Sequence, residues 1–415
     1  MLLVALLFAK RVYVFFDGTW ATPEQQTNIY KMFAAIPGVE EPNPFINPYN
    51  IGSLVKSSGE DKAIYVNGLA TNDADNSNLH GITGFGIERF VLIAYEFLLT
   101  NLMEGDWLYL FGFSRGGTQA RFLAKYLYEY GLAPENLLEF RLENTIVHLE
   151  PSIVGRPVTI EFMGLFDSVV AISHMSDVFQ SFVHEAFYAN MMKRAYPPRL
   201  SKRAWYDSFV QGTKLVFGMA VNDVKDAYES TLNTGRAFYA SVTSPFRSYD
   251  LAKYTDEVTP NVLWCFHAVA INEYRAQNDF SSIGLRDGFE EKHFVGSHVD
   301  IGGYNSRERQ FIALKWMAEK TGLGPLFDAA LPIGFDENIS GVNAPIFDSY
   351  KNPFSSLQND NWFTRTIVPA VNRNLPSLNW DVVHPSVIVF AQALGILTEE
   401  TIDIEKVKAK LSDVL

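Results

Sequence analysis

With 415 residues, 47% of them hydrophobic and 20% charged, the chain has a core-forming composition that excludes a largely disordered protein. A formal net charge of −13, from 34 Lys and Arg against 47 Asp and Glu, argues against nucleic acid as a partner, because phosphate neutralisation needs a basic footprint. The single cysteine, Cys265, excludes an intrachain disulfide and a cysteine-based zinc cluster, as expected in a reducing compartment or after export without disulfide formation.

The opening MLLVALLFAKR is too short to span a bilayer, and no basic stretch precedes its apolar run as in a secretory signal. It reads as part of the fold, which implies synthesis in the cytoplasm without a cleaved signal. A first strand, RVYVFF (11–16), follows and ends at Asp17-Gly18-Thr19. Further strands are expected at AIYV (63–66), DWLYLFGF (106–113), TIEFMGLF (159–166) and NVLWCFHAVAI (261–271). All are continuous apolar runs rather than alternating ones, the pattern of strands covered on both faces. Between them, 84–102 and 117–130 carry apolar residues at helical spacing. Strand and helix in alternation predict an α/β fold with a largely parallel, doubly wound sheet.

The rhythm breaks over 172–245, an aromatic-rich stretch with helical spacing, read as a helical insertion between strands. The expected layout is a core from 1–171 and 246–322, the insertion at 172–245, and loops with short helices over 323–415 packed on the core. The 32 Phe and 19 Tyr predict large buried aromatic surfaces or an apolar substrate site.

Gly112-Phe113-Ser114-Arg115-Gly116 fits the G-x-S-x-G pattern of a nucleophile elbow. The pattern alone arises by chance in about one chain in seven of this length. Its context is what counts: a strand precedes it and a helix starts at once, so Ser114 would stand at the sheet edge as a nucleophile. A serine hydroxyl is inert without a base, and the base needs an acid to orient it. In this fold the order is serine, acid, histidine. Asp167 directly follows the next strand, with Asp300 as the second choice. Of eight histidines, His298, in a loop with paired glycines, is the expected base and His384 the runner-up. His267, inside an apolar strand, reads as a hydrogen-bonded core residue. Oxyanion donors are expected from the Arg115 amide and from the loop at Gly18 and Thr19. No cofactor or metal is expected; Asp17 and Asp300 could ligate a cation, but no spacing demands one.

Taken together, FFDGTW (15–20), TNIY (27–30), GDWLYLFGFSRGG (105–117), GLFDSV (164–169), HAVAINE (267–273) and SHVDIGGY (297–304) resemble the uncharacterised α/β-hydrolase domain family that includes the first family of type VI secretion lipase effectors. The resemblance covers about two-thirds of the chain, in the family's motif order. It implies an α/β-hydrolase-like fold and a triad at Ser114, Asp167 and His298. It also implies hydrolysis of phospholipid acyl esters, of phospholipase A type, after delivery into a neighbouring bacterium by a secretion apparatus. An immunity protein, a component of that apparatus and a membrane surface contacted peripherally are the partners it implies. Two departures stand out: Asn272 precedes Glu273 where many members carry an acid, and Val299 and Ile301 stand where Ser and Val are usual. A serine esterase acting on a small soluble ester or thioester, without secretion, is the alternative function.

A lipase needs an apolar surface beside its serine and cover for it in water. The insertion starts just after Asp167 and is read as a lid, with Phe179, Val183 and Phe187 on one helical face. Phe113, Phe179 and Phe182 are the expected acyl-chain contacts. The stretch KRAYPPRLSKR (193–203) is basic without an acid and would face anionic headgroups.

Overall fold

The computed structural model describes residues 9–44, 51–59, 61–69, 71, 87–134, 155–169, 257–271, 273, 281–304, 308–335 and 384. The expected insertion at 172–245, with Phe179, Phe182 and the basic stretch, lies outside the described residues.

The five apolar runs become β1 (Arg11–Phe16), β4 (Asp61–Val66), β5 (Trp107–Phe113), β6 (Ile160–Phe166) and β7 (Val262–Ala270). Three further strands, β2 (Glu41–Pro42), β3 (Ser53–Ser58) and β8 (Phe289–Phe294), complete one sheet of order β2-β3-β4-β1-β5-β6-β7-β8. From β4 to β8 every neighbouring pair is parallel, while β2 and β3 form an antiparallel edge. Two long helices, α2 (Ile87–Asn101) and α3 (Arg115–Tyr130), follow β4 and β5. The remaining helices are α1 (Asn28–Ala35), α4 (His298–Gly302), α5 (Gln310–Lys320) and α6 (Gly324–Phe327). This is an α/β-hydrolase-like fold.

Both faces of the sheet are covered, which explains the continuous apolar runs. On β1, Val12, Val14 and Phe16 face the core beneath α2 and α3, with Leu98, Leu110 and Leu123. Tyr13 and Phe15 face the opposite core, with Phe33 of α1 and Met317 of α5. On that second face an aromatic ladder crosses the strands. Phe15 stacks on Phe111 at 5.0 Å, Phe111 meets Phe162 at 5.6 Å, and Phe162 stacks on Phe266 at 5.4 Å. Offset aromatic pairs at such spacing add to the area they bury. Much of the Phe content among the described residues therefore serves the core.

The chain runs from β1 to β4 on one side, then crosses back through α2 to β5 on the other side of β1. Strand order reverses there, and in open α/β sheets the crevice beyond the strand C-termini at such a point is where ligands bind. Gly112 of β5 lies opposite Phe16 of β1, Phe113 opposite Phe166 of β6, and Ala270 of β7 opposite Phe294 of β8. Asp17, Ser114, Asp167 and the segment leading to His298 thus emerge at one edge.

Candidate active site

Ser114 is the residue between β5 and α3, with φ 57° and ψ −126°. A side chain at positive φ costs on the order of 1–3 kcal/mol and persists only where its surroundings over-determine it. Here the constraint is close approach. A Cβ at Gly116 would lie 2.2 Å from the Phe16 carbonyl oxygen, so the first turn of α3 presses directly on the end of β1. The Ser114 amide donates to the Phe166 carbonyl at 3.0 Å, and its own carbonyl accepts from Gly117 at 3.0 Å. The elbow is thereby tied to β6 and to α3.

Asp167 ends β6 in the same way, at φ 41° and fully buried. Its Oδ1 accepts the Ala270 amide at 2.9 Å, while Oδ2 lies 2.6 Å from His298 Nδ1. His298 opens α4, and its Nε2 lies 2.7 Å from Ser114 Oγ. The structure therefore brings the three sequence-predicted residues into one hydrogen-bonded line, Asp167–His298–Ser114. All three are buried. Such a line can hold the imidazole with Nδ1 protonated and leave Nε2 to take the serine proton.

The runner-up residues lie elsewhere. Asp300 accepts from the Ser297 amide and hydroxyl, both at 3.0 Å, as the capping box of the short helix that carries His298. His384 stacks on Phe294 at 4.4 Å and donates its backbone amide to the His293 carbonyl, alongside β8. Burial, with the nearby charges of Lys292 and Lys315, lowers its pKa to about 4.

The loop after β1 corrects one expectation. The Gly18 amide donates to Asp17 Oδ1 at 2.7 Å, so it is already engaged within its own loop. Trp20 and Ala21 donate to the carbonyls of Leu69 and Gly18. The Thr19 amide makes no hydrogen bond among the described residues and becomes the candidate second donor beside Arg115. Arg115 opens α3, where first-turn amides point out of the helix end. Its guanidinium sits 5.8 Å from the Trp20 ring centroid, joining elbow to loop.

Asp17 itself is fully buried and accepts from the Thr27 hydroxyl at 2.6 Å and the Tyr65 hydroxyl at 2.7 Å. Burial raises its pKa to about 6 despite those bonds and that from the Gly18 amide. Asp17 thus takes three protein donors and Asp300 Oδ2 two, and no group of three His, Cys, Asp or Glu placed to hold a metal ion is found among the described residues. Phe113, expected to meet substrate, is buried: its ring lies 4.8 Å from that of His298, and a Cβ at Gly18 or Gly302 would strike it. It wedges the histidine in place.

Two residues that the sequence reading did not assign to the site also hold it. Glu273, fully buried, accepts the His298 amide at 3.3 Å. Asn28 of the TNIY segment donates to the carbonyls of Ile301 and Gln310, anchoring α4 against α1 and α5. Glu273 ends the HAVAINE motif, and its position just past β7 was the available signal.

The family model for the catalytic domain of Tle1-like type VI secretion phospholipase effectors matches residues 10–147 and 144–320, which contain every residue of this line. The chain belongs to that family. An uncharacterized Saccharomyces cerevisiae protein is 28% identical over 192 residues, 40% of this chain and 28% of the yeast protein. Among solved structures, a Tle1 effector bound to the VgrG spike of the type VI secretion system is 18% identical, with a TM-score of 0.32. It aligns over 72% of this chain and 52% of its own length. An uncharacterized protein from Pseudomonas aeruginosa is 13% identical, covering 98% of this chain and 62% of that one, with a TM-score of 0.38. This Tle1-like chain thus spans about half the length of the Tle1 effector and a smaller share of the yeast protein.

Proposed function

We propose that this Tle1-like protein is a serine hydrolase that cleaves acyl ester bonds of membrane phospholipids. The observation that carries the reading is the Asp167–His298–Ser114 line, with 2.6 Å and 2.7 Å contacts, at the switch point of a chain in a phospholipase effector family.

In this reading His298 Nε2 takes the Ser114 proton as Oγ bonds to the ester carbonyl carbon. The resulting oxyanion is met by the amides of Arg115 and Thr19. Collapse breaks the carbon–oxygen bond to the glycerol oxygen, which leaves as lysophospholipid carrying the proton from His298. Water, deprotonated by His298, then attacks the acyl-serine; fatty acid departs and Ser114 regains its proton. Asp167 keeps Nδ1 protonated and stabilises the imidazolium formed in each half. An antibacterial role follows from the family, with delivery by a type VI apparatus, a spike component as carrier and an immunity protein in the producing cell.

The test is mass spectrometry of the products from phosphatidylethanolamine and phosphatidylcholine vesicles with distinct acyl chains, wild type beside Ser114→Ala. Free fatty acid with matching lysophospholipid is expected from the wild type and background release from the variant. Equal release by the variant would overturn the serine mechanism. Hydrolysis of a soluble short-chain ester with intact vesicles would replace the phospholipid with a small ester or thioester.

A further inference from the structure

Behind the proposed triad lies a second imidazole–carboxylate pair that touches no reacting atom. His267 of β7 is fully buried, and in the sheet it stands between Leu165 of β6 and Glu291 of β8. Its Nε2 lies 2.9 Å from the Ser168 amide nitrogen, and its Nδ1 lies 3.0 Å from Glu291 Oε2. Glu291 Oε2 also accepts the Ile283 amide at 3.3 Å.

The chemistry of these contacts fixes the tautomer. A backbone N–H can only donate, so Nε2 must present its lone pair to Ser168. The ring proton then sits on Nδ1 and is donated to Glu291. Burial pushes the Glu291 carboxyl up, but the hydrogen bonds from His267 and the Ile283 amide work against it, and the carboxyl lies below the ordinary carboxylate range. The donor and acceptor pattern thus aims the Nε2 lone pair of the ring at the Ser168 amide.

That amide belongs to the turn that bears the proposed acid. Asp167 sits at positive φ, a conformation that needs outside support, and Ser168 is the next residue. On the near side, the Asp167 amide donates to Ala268 at 2.6 Å and the carboxylate takes the Ala270 amide. On the far side, the Val169 amide donates to Ser114 at 3.3 Å. The His267 contact lies between these, on the residue whose rotation would swing the Asp167 carboxylate off His298.

We infer that His267, fixed in its Nδ1-protonated form by Glu291, is a positioning residue that holds the Asp167 turn in register with His298. The inference rests on the triad reading above. It gives a role to a histidine at a core position that an apolar side chain would otherwise fill, and to the buried glutamate of β8.

The experiment uses the full chain with wild type, His267→Gln, His267→Ala and Ser114→Ala, measuring kcat and KM on a chromogenic acyl ester. Glutamine can offer its carbonyl to Ser168 and its NH2 to Glu291, reproducing the tautomer, whereas alanine offers neither. His267→Ala should lose about 10²-fold in kcat with KM little changed, as expected for a displaced catalytic group. His267→Gln should recover most of that loss. Wild-type kcat in His267→Ala, a change confined to KM, or a glutamine variant as impaired as alanine would overturn the inference. Nitrogen-15 NMR of histidine-labelled wild type, with the His267 signals assigned by their absence in His267→Gln, keeps the test decisive if the alanine variant fails to fold. An unprotonated Nε2 and protonated Nδ1 are expected, and the opposite pattern would overturn it. Hydrolysis that survives Ser114→Ala would instead refute the triad reading, leaving the tautomer measurement intact.

Discussion

At Asp167 each carboxylate oxygen has its own donor, the Ala270 amide on one side and the His298 ring on the other. Asparagine keeps the shape but must turn its NH2 toward one of these donors. Asp167→Asn should therefore lower kcat by about 10⁴-fold with KM nearly unchanged, through loss of the correct imidazole tautomer. A loss below tenfold in steady-state ester hydrolysis would deny Asp167 that role. Asp17 gives a separate prediction, in stability. Its folded pKa, about 6, stands above the ordinary 3.8 because of burial. The group binds its proton more tightly when folded, so its contribution to stability is fully present below about pH 4 and lost as pH rises through about 6. The stability difference between wild type and Asp17→Asn should fall by roughly 2 kcal/mol between pH 4 and pH 7. Denaturant midpoints measured from pH 4 to 7 test this, and parallel curves for the two proteins would contradict it.

The elbow is the element where sequence and geometry correspond most directly. G-x-S-x-G after an apolar run marked Ser114, and the glycines are required by contact: Gly112 against Gly116, and Gly116 against the end of β1. Gly116→Ala should cost both activity and thermal stability, because the 2.2 Å clash is with backbone that cannot turn aside. Unaltered melting and ester hydrolysis would show that the elbow is looser than this. Strands buried on both faces were legible for the same reason, since continuous apolar runs have few other uses. β3, with its Ser and Lys, and β8, reading FEEKHF, gave no such signal. In β8 the charges alternate between duties: Glu290 and Lys292 lie partly exposed and pair with each other, while Glu291 turns inward to His267. Pattern alone cannot tell an inward glutamate satisfied by a histidine from a solvent-facing one. The engagement of the Gly18 amide was illegible for a related reason, because only the fold shows that the Asp17 carboxylate curls back onto the next amide.

Across the whole molecule, the proposed site is drawn from β5, β6 and the segment after β8, so Ser114 and His298 meet across 184 positions of sequence. No local segment contains the site. Inactivation by denaturant should therefore coincide with loss of the sheet, followed by circular dichroism; activity lost well before the sheet would mean that the strand-end turns open by themselves. The sheet also ties its parts together: the β1 loop pairs with the loop after β4, and α4 is pinned through Asn28 to α1 and α5.

In the proposed mechanism everything depends on His298 and Asp167 making Ser114 a nucleophile. The most direct measurement is peptide mass spectrometry after reaction with a fluorophosphonate, which bonds to an activated serine. A stoichiometric adduct is expected on the peptide containing Ser114, formed far more slowly in His298→Ala and Asp167→Asn. An adduct on another serine, or labelling of Ser114 at an unchanged rate without His298, would contradict it.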